Sequence, residues 1–185
     1  MQVHTLTFEQ AIERTARALR AQASGLMTLE ELGVLVGDLV ATSNGARGFF
    51  VAYLTGDWAL ADRSPPEEIL AALGTSTDMV AELLTKNLAM STAMAWAHSQ
   101  RGDADAAAGS NQVSRRTVQL IIRLEGPQLH GQLHHLREAI ESGSGPYAPF
   151  LKRWGYGPEQ LQAIGAALRE LPLPTATRQD RFPSV

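Results

Sequence analysis

The chain has 185 residues, no cysteine and a formal net charge of −3. The length indicates one domain whose core can fold unaided, and the missing thiols exclude disulfides and thiolate metal sites and fit a reducing cytoplasm. The acidic balance, with a pI of about 5.9, argues against nucleic acid or an anionic membrane as the main partner.

Hydrophobic residues make up 44% and charged residues 19%, the proportions of an ordinary soluble globule. No apolar run approaches the ~20 residues of a membrane span. The start, Met1-Gln2-Val3-His4, lacks the basic-then-apolar order of a signal peptide.

Thr7 with Gln10 three residues on is a capping-box pattern. It opens a helix whose face reads Phe8, Ile12, Thr15 and Leu19. Thr28 with Glu31 is a second capping box, leading into Leu29, Leu32, Leu35, Val36, Leu39 and Val40, a broad apolar stripe. Gly33 and Gly37, four apart in that stripe, allow another helix to pack closely. Ser43-Asn44-Gly45 reads as a turn. Phe49 to Leu54 has strand propensity, but no second strand-like run exists to pair with it, so a short buried helix is expected. Ser64-Pro65-Pro66-Glu67-Glu68 reads as a helix start, with Ser64 as cap and proline at the first position.

The stretch from Thr77 to Leu124 predicts a long central antiparallel hairpin. One helix spans Asp78 to Gln100, Gly102 makes the turn, and the second runs from Asp103 to Leu124 with Gly126 and Pro127 as its stop. At about 100° per residue, Asn87, Ser91 and His98 fall on the centre line of the first helix's apolar face. Reflection about Gly102 places Thr117 opposite Asn87. The expectation is a buried polar lane, with Asn87 hydrogen-bonded across the hairpin to Thr117. The sharper alternative is that this lane lines a ligand pocket.

Beyond the hairpin, Leu129, Leu133, Leu136 and Ile140 predict a further helix. Tyr147, Phe150, Leu151 and Trp154 predict an aromatic turn, and Leu161, Ile164, Leu168 and Leu171 a last helix. The whole reads as an all-α bundle of about eight helices. It forms a single domain over 1–172, followed by a polar, aperiodic tail over 173–185 expected to be mobile.

Three candidate chemistries follow. His130 and His134, four apart on one helix face with His135 adjacent, have the spacing of a zinc pair, although no third ligand is near in sequence. Ser114, Arg115 and Arg116 lie in Val113–Ile121, which resembles the recognition helix of a helix-turn-helix regulator built from 104–123. The pattern departs at Gln112, where such a turn carries glycine. The resemblance implies that these three side chains face a DNA major groove. The structural alternative is that Arg115, Arg116 and Arg123 are surface charges.

Enzyme chemistry finds little support. Asp57, Asp62, Asp103 and Asp105 lie near helix ends, where acids act as caps. Ser91 and His98 are about 10 Å apart along their helix, too far for a nucleophile and its base. Gly45 and Gly48 do not form a phosphate loop. The reading is a non-enzymatic cytoplasmic protein without cofactor, acting through protein association. Its partner is expected to be a second copy of itself in a homodimer, because the Leu29–Val40 stripe is broader than a small bundle needs. Met79, Met90 and Met94 add adaptable apolar surface. The alternatives are the DNA-binding regulator and a small-ligand or metal binder.

Overall fold

The computed structural model describes residues 6–172; the expected tail over 173–185 lies outside them. Nine α-helices and one 3-10 turn are present among the described residues, without a strand. The all-α class stands.

Helix α1 (Phe8–Ala23) opens on the capping box: Gln10 N–H donates to Thr7 Oγ1 at 3.2 Å, and Thr7 N–H donates back to Gln10 Oε1 at 2.9 Å. Helix α2 (Leu29–Val40) opens the same way on Thr28 and Glu31. Helix α3 (Ser43–Thr55) begins six residues before the predicted apolar run. Ser43-Asn44-Gly45 is its first turn and not a loop, because Thr42 is the N-cap and accepts from Gly45 N–H at 3.1 Å. Helix α4 (Glu67–Leu73) starts with Pro66 as a cap that makes no side-chain bond, so the proline stands one residue outside the helix. Ser64 instead accepts from Arg123. A 3-10 turn (Gly74–Ser76) leads directly into α5 (Thr77–Gln100).

The hairpin forms where it is predicted. Gly102 takes φ +72°, a conformation that favours glycine. Asp103 then caps α6 (Ala104–Leu124) by accepting from Ala106 N–H at 3.1 Å. Opposite faces meet near the expected register, with Thr92 Oγ1 3.5 Å from Ser114 Oγ. Helices α7 (Pro127–Ser142), α8 (Ala148–Trp154) and α9 (Pro158–Glu170) follow. The first is closed by Gly143 and the second by Gly155, both left-handed.

Helix α5 is the hub, packing on α6, α7 and α9. The first four helices form a second group, with α1 on α3 and α2 on α4; α3 joins the groups through α6 and α5. One contiguous core runs through both, from Leu32, Phe49 and Leu73 to Leu84, Leu133 and Ile164, all fully buried. Burying each such side chain contributes roughly 1.5–3 kcal/mol.

Two crossings depend on glycine. At Gly33 an added Cβ would lie 3.0 Å from Glu68 Cβ, so α2 and α4 meet there. At Gly48 it would lie 2.5 Å from Ala11 Cβ, so α1 and α3 meet there. Gly37, expected to act with Gly33, has nothing within 4 Å and serves no crossing among the described residues.

Candidate binding groove

Helix α3 of the first group also contacts α5 and α6, and a groove of about 840 Å³ opens between α3 and α5. One wall is α3, through Ser43, Arg47, Phe50, Val51, Leu54 and Thr55. Their spacing of three, four and one is that of a single helix face. The other wall is α5, through Met79, Glu82, Leu83, Lys86, Asn87 and Met90. Helix α8 adds Pro149, Phe150, Arg153 and Trp154, while Phe8 and Val113 contribute from α1 and α6. From Met79 to Met90 the wall runs about 16 Å, three helical turns.

The surface is apolar with a cationic border. Val51 is 40% and Trp154 50% exposed, unusual for large apolar side chains on one site. Lys86 pairs with Glu82 and stands 5.9 Å over the Phe150 ring. The Arg47 guanidinium stands 5.0 Å over Phe8. Arg47, Lys86 and Arg153 thus face a single acid, Glu82, in a chain whose net charge is negative.

What fixes the α3 wall is Arg116. It is 1% exposed and points inward from α6, one turn from Leu120. Its Nη1 donates to the carbonyls of Tyr53 at 3.3 Å, Leu54 at 3.0 Å and Gly56 at 2.7 Å. Its Nε and Nη2 donate to the two carboxylate oxygens of Asp62 at 2.8 and 2.9 Å. The carbonyls at the end of α3 have no partner within their own helix. Arg116 supplies the donors, and Trp58 Nε1 adds another to Ala52 O at 2.7 Å. The hydrogen bonds from Arg116 hold the Asp62 carboxyl below its ordinary range, and the charges of Arg116 and Arg115 act in the same direction. Burial pushes the neighbouring Tyr53 hydroxyl up to about 12.

The three residues of the DNA-contact reading are placed differently from one another. Arg116 is neither a groove-facing side chain nor a surface charge. Helix α6 is continuous from Ala104 to Leu124, so the turn that a helix-turn-helix motif needs near Gln112 does not exist. Arg115 is exposed and Ser114 half-buried against Thr92.

The polar lane also divides. Asn87 is half-buried and lines the groove, with no side-chain bond across the hairpin among the described residues. Thr117 Oγ1 donates to Val113 O in its own helix at 2.8 Å, and Ser91 Oγ to Asn87 O at 2.7 Å. Hydroxyls on helices often satisfy themselves this way, which removes the need for a partner opposite. His98 lies by Arg101, with Nδ1 3.3 Å from Nη2. Replacing Asn87 with leucine is therefore expected to shift unfolding free energy by less than about 0.5 kcal/mol, as at a surface site. A loss above ~1 kcal/mol in urea titration would restore the cross-hairpin bond.

His130 is half-buried and His134 exposed on α7, and no group of three potential metal ligands occurs among the described residues. A second cavity, of about 50 Å³ beside Leu73, Val80 and Leu129, is far below the size of a ligand site.

Among the described residues, the fold and groove define a class: an all-helical bundle with a long, open, largely apolar groove bordered by cations. The chain belongs to the family described as uncharacterised conserved protein UCP020893, whose model matches residues 7–171. That span runs from the first helix cap to Leu171. No curated protein and no solved structure matches the chain.

Proposed function

We propose that the protein works by binding another protein, with the groove as its docking surface and an amphipathic helix as the element received. The observation that carries this reading is the groove's shape: open, three turns long and walled by two helices. A helix of that length and about 10 Å across has a volume on the order of 1,300 Å³. A groove of about 840 Å³, open along its length, would receive one face of such a helix and leave the rest in water, as in helix-in-groove recognition. A small ligand would lie largely uncovered there, whereas small-molecule sites enclose most of their occupant. The cations select an acidic border on the incoming helix. The groove's one acid, Glu82, is committed to Lys86, which favours binding over catalysis.

A small anionic amphiphile is the second reading, favoured by the same pairing of apolar floor and arginine rim. No helix among the described residues is long and apolar enough to cross a membrane. A chain without cysteine suits a reducing compartment, and we place the protein in the cytoplasm.

Trp154 reports on the groove. Titration with a three-turn leucine–glutamate amphipathic peptide is expected to shift its emission to the blue, and Trp154→Phe to abolish the shift. A fatty-acid carboxylate that produces the shift where the peptide does not would favour the second reading. An unchanged spectrum with both would remove the groove as a binding site.

A further inference from the structure

We infer that the helix received by the groove is α2 of a second copy of this chain, an inference that rests on the docking reading above. Helix α2 buries Leu32, Val36 and Leu39 in its own core yet carries a second apolar edge. Val34 is 69% exposed, and Leu26, just before the helix, is 83% exposed. Glu30 and Asp38, both exposed, flank Val34 at four residues before and four after, so acid, apolar and acid stand in one line along the helix. Gly37 beside them would have its added Cβ in open space. The face is therefore low there, and a partner's walls can close over it.

The two surfaces match in length and charge, and Val34 supplies an apolar contact for the floor. Helix α2 runs Leu29–Val40, about 18 Å at ~1.5 Å per residue, against about 16 Å of groove wall. Glu30 and Asp38 would meet Arg47 and Arg153, and Val34 would meet the floor at Val51. The contact joins two different surfaces, so it is head-to-tail, and it closes into a ring or extends according to its rotation. Charge complementarity of this kind sets register and partner choice, and salt weakens it.

The test is the solution mass by light scattering at tens to hundreds of micromolar. Wild-type protein is expected above the 20.0 kDa monomer, rising with concentration and falling with salt. Arg47→Glu with Arg153→Glu, and separately Glu30→Lys with Asp38→Lys, are each expected to give monomer. All four are exposed positions, and circular dichroism checks that the fold is kept. Mixing the two variants, or placing all four changes in one chain, is expected to restore association because the charges again oppose. Wild-type protein monomeric throughout, or association that survives both reversals, would overturn the inference. If the wild type is monomeric while the acidic peptide still shifts Trp154, the groove serves another protein's helix. If neither responds, the docking reading falls as well.

Discussion

Replacing Arg116 with methionine is expected to lower unfolding free energy by about 2–4 kcal/mol, the cost of leaving the carbonyls at the end of α3 without a donor. Methionine fills much of the same space, so the loss comes from polar groups and not from a cavity. The carbonyls of Leu54 and Gly56, which receive Nη1 at 3.0 and 2.7 Å, would be left without that donor, and the first of these contacts is buried. The end of α3 should loosen, and with it one wall of the groove. Asp62, at 50% side-chain exposure, can rehydrate and adds little to the loss. Urea titration followed by circular dichroism measures the effect, and a loss under about 1 kcal/mol would show that the guanidinium does not hold the α3 terminus.

The Asp62 side of the clamp has a pH signature. Its carboxyl is lowered in the folded protein from an ordinary value of 3.8. A lowered group contributes stability that is present above the unfolded value and is lost as pH falls through the folded one. Asp62→Asn should therefore flatten the acid limb of the stability profile below that ordinary value. Exposure and solvent screening keep this contribution modest.

The second large effect is expected at Gly48. Alanine for glycine inside a helix normally stabilises by roughly 0.5–1 kcal/mol. Here the added Cβ would stand 2.5 Å from Ala11 Cβ and 2.9 Å from Ile12 N, so α1 and α3 would have to separate. Gly48→Ala should instead destabilise by about 1–3 kcal/mol, and Gly48→Val by more. Ala11→Gly removes the nearest obstructing atom and should recover part of the alanine loss. The backbone of Ile12 limits that recovery. A thermal or urea midpoint for Gly48→Ala at or above wild type would contradict the close crossing.

The helical periodicities were legible because each is local. Thr7–Gln10 and Thr28–Glu31 fix helix starts through bonds made within three residues. Gly102 and Asp103 fix the central turn in the same way. The Ser43–Gly45 start was missed because turn composition also suits a helix's first turn once Thr42 caps it. Arg116 was missed for a different reason. Its spacing to Val113 and Leu120 puts it on the buried stripe, but a charge there is tolerated only if donors find carbonyls elsewhere. Those carbonyls belong to a helix some sixty residues away in sequence. The groove was illegible for the same reason: Arg47, Lys86 and Arg153 come from three helices, and no local pattern relates them. Val34 lies outside the α2 stripe, so its exposure was not legible from the periodicity.

Two-dimensional amide spectra of the isotope-labelled protein, recorded with and without the acidic amphipathic peptide, test the docking surface most directly. The predicted result is a set of shifted resonances confined to the groove walls, among them Arg47 and Val51 on α3, Leu83 and Asn87 on α5, and Arg153 and Trp154 on α8. Shifts centred on the exposed face of α6 or on α7, or none at peptide excess, would contradict it.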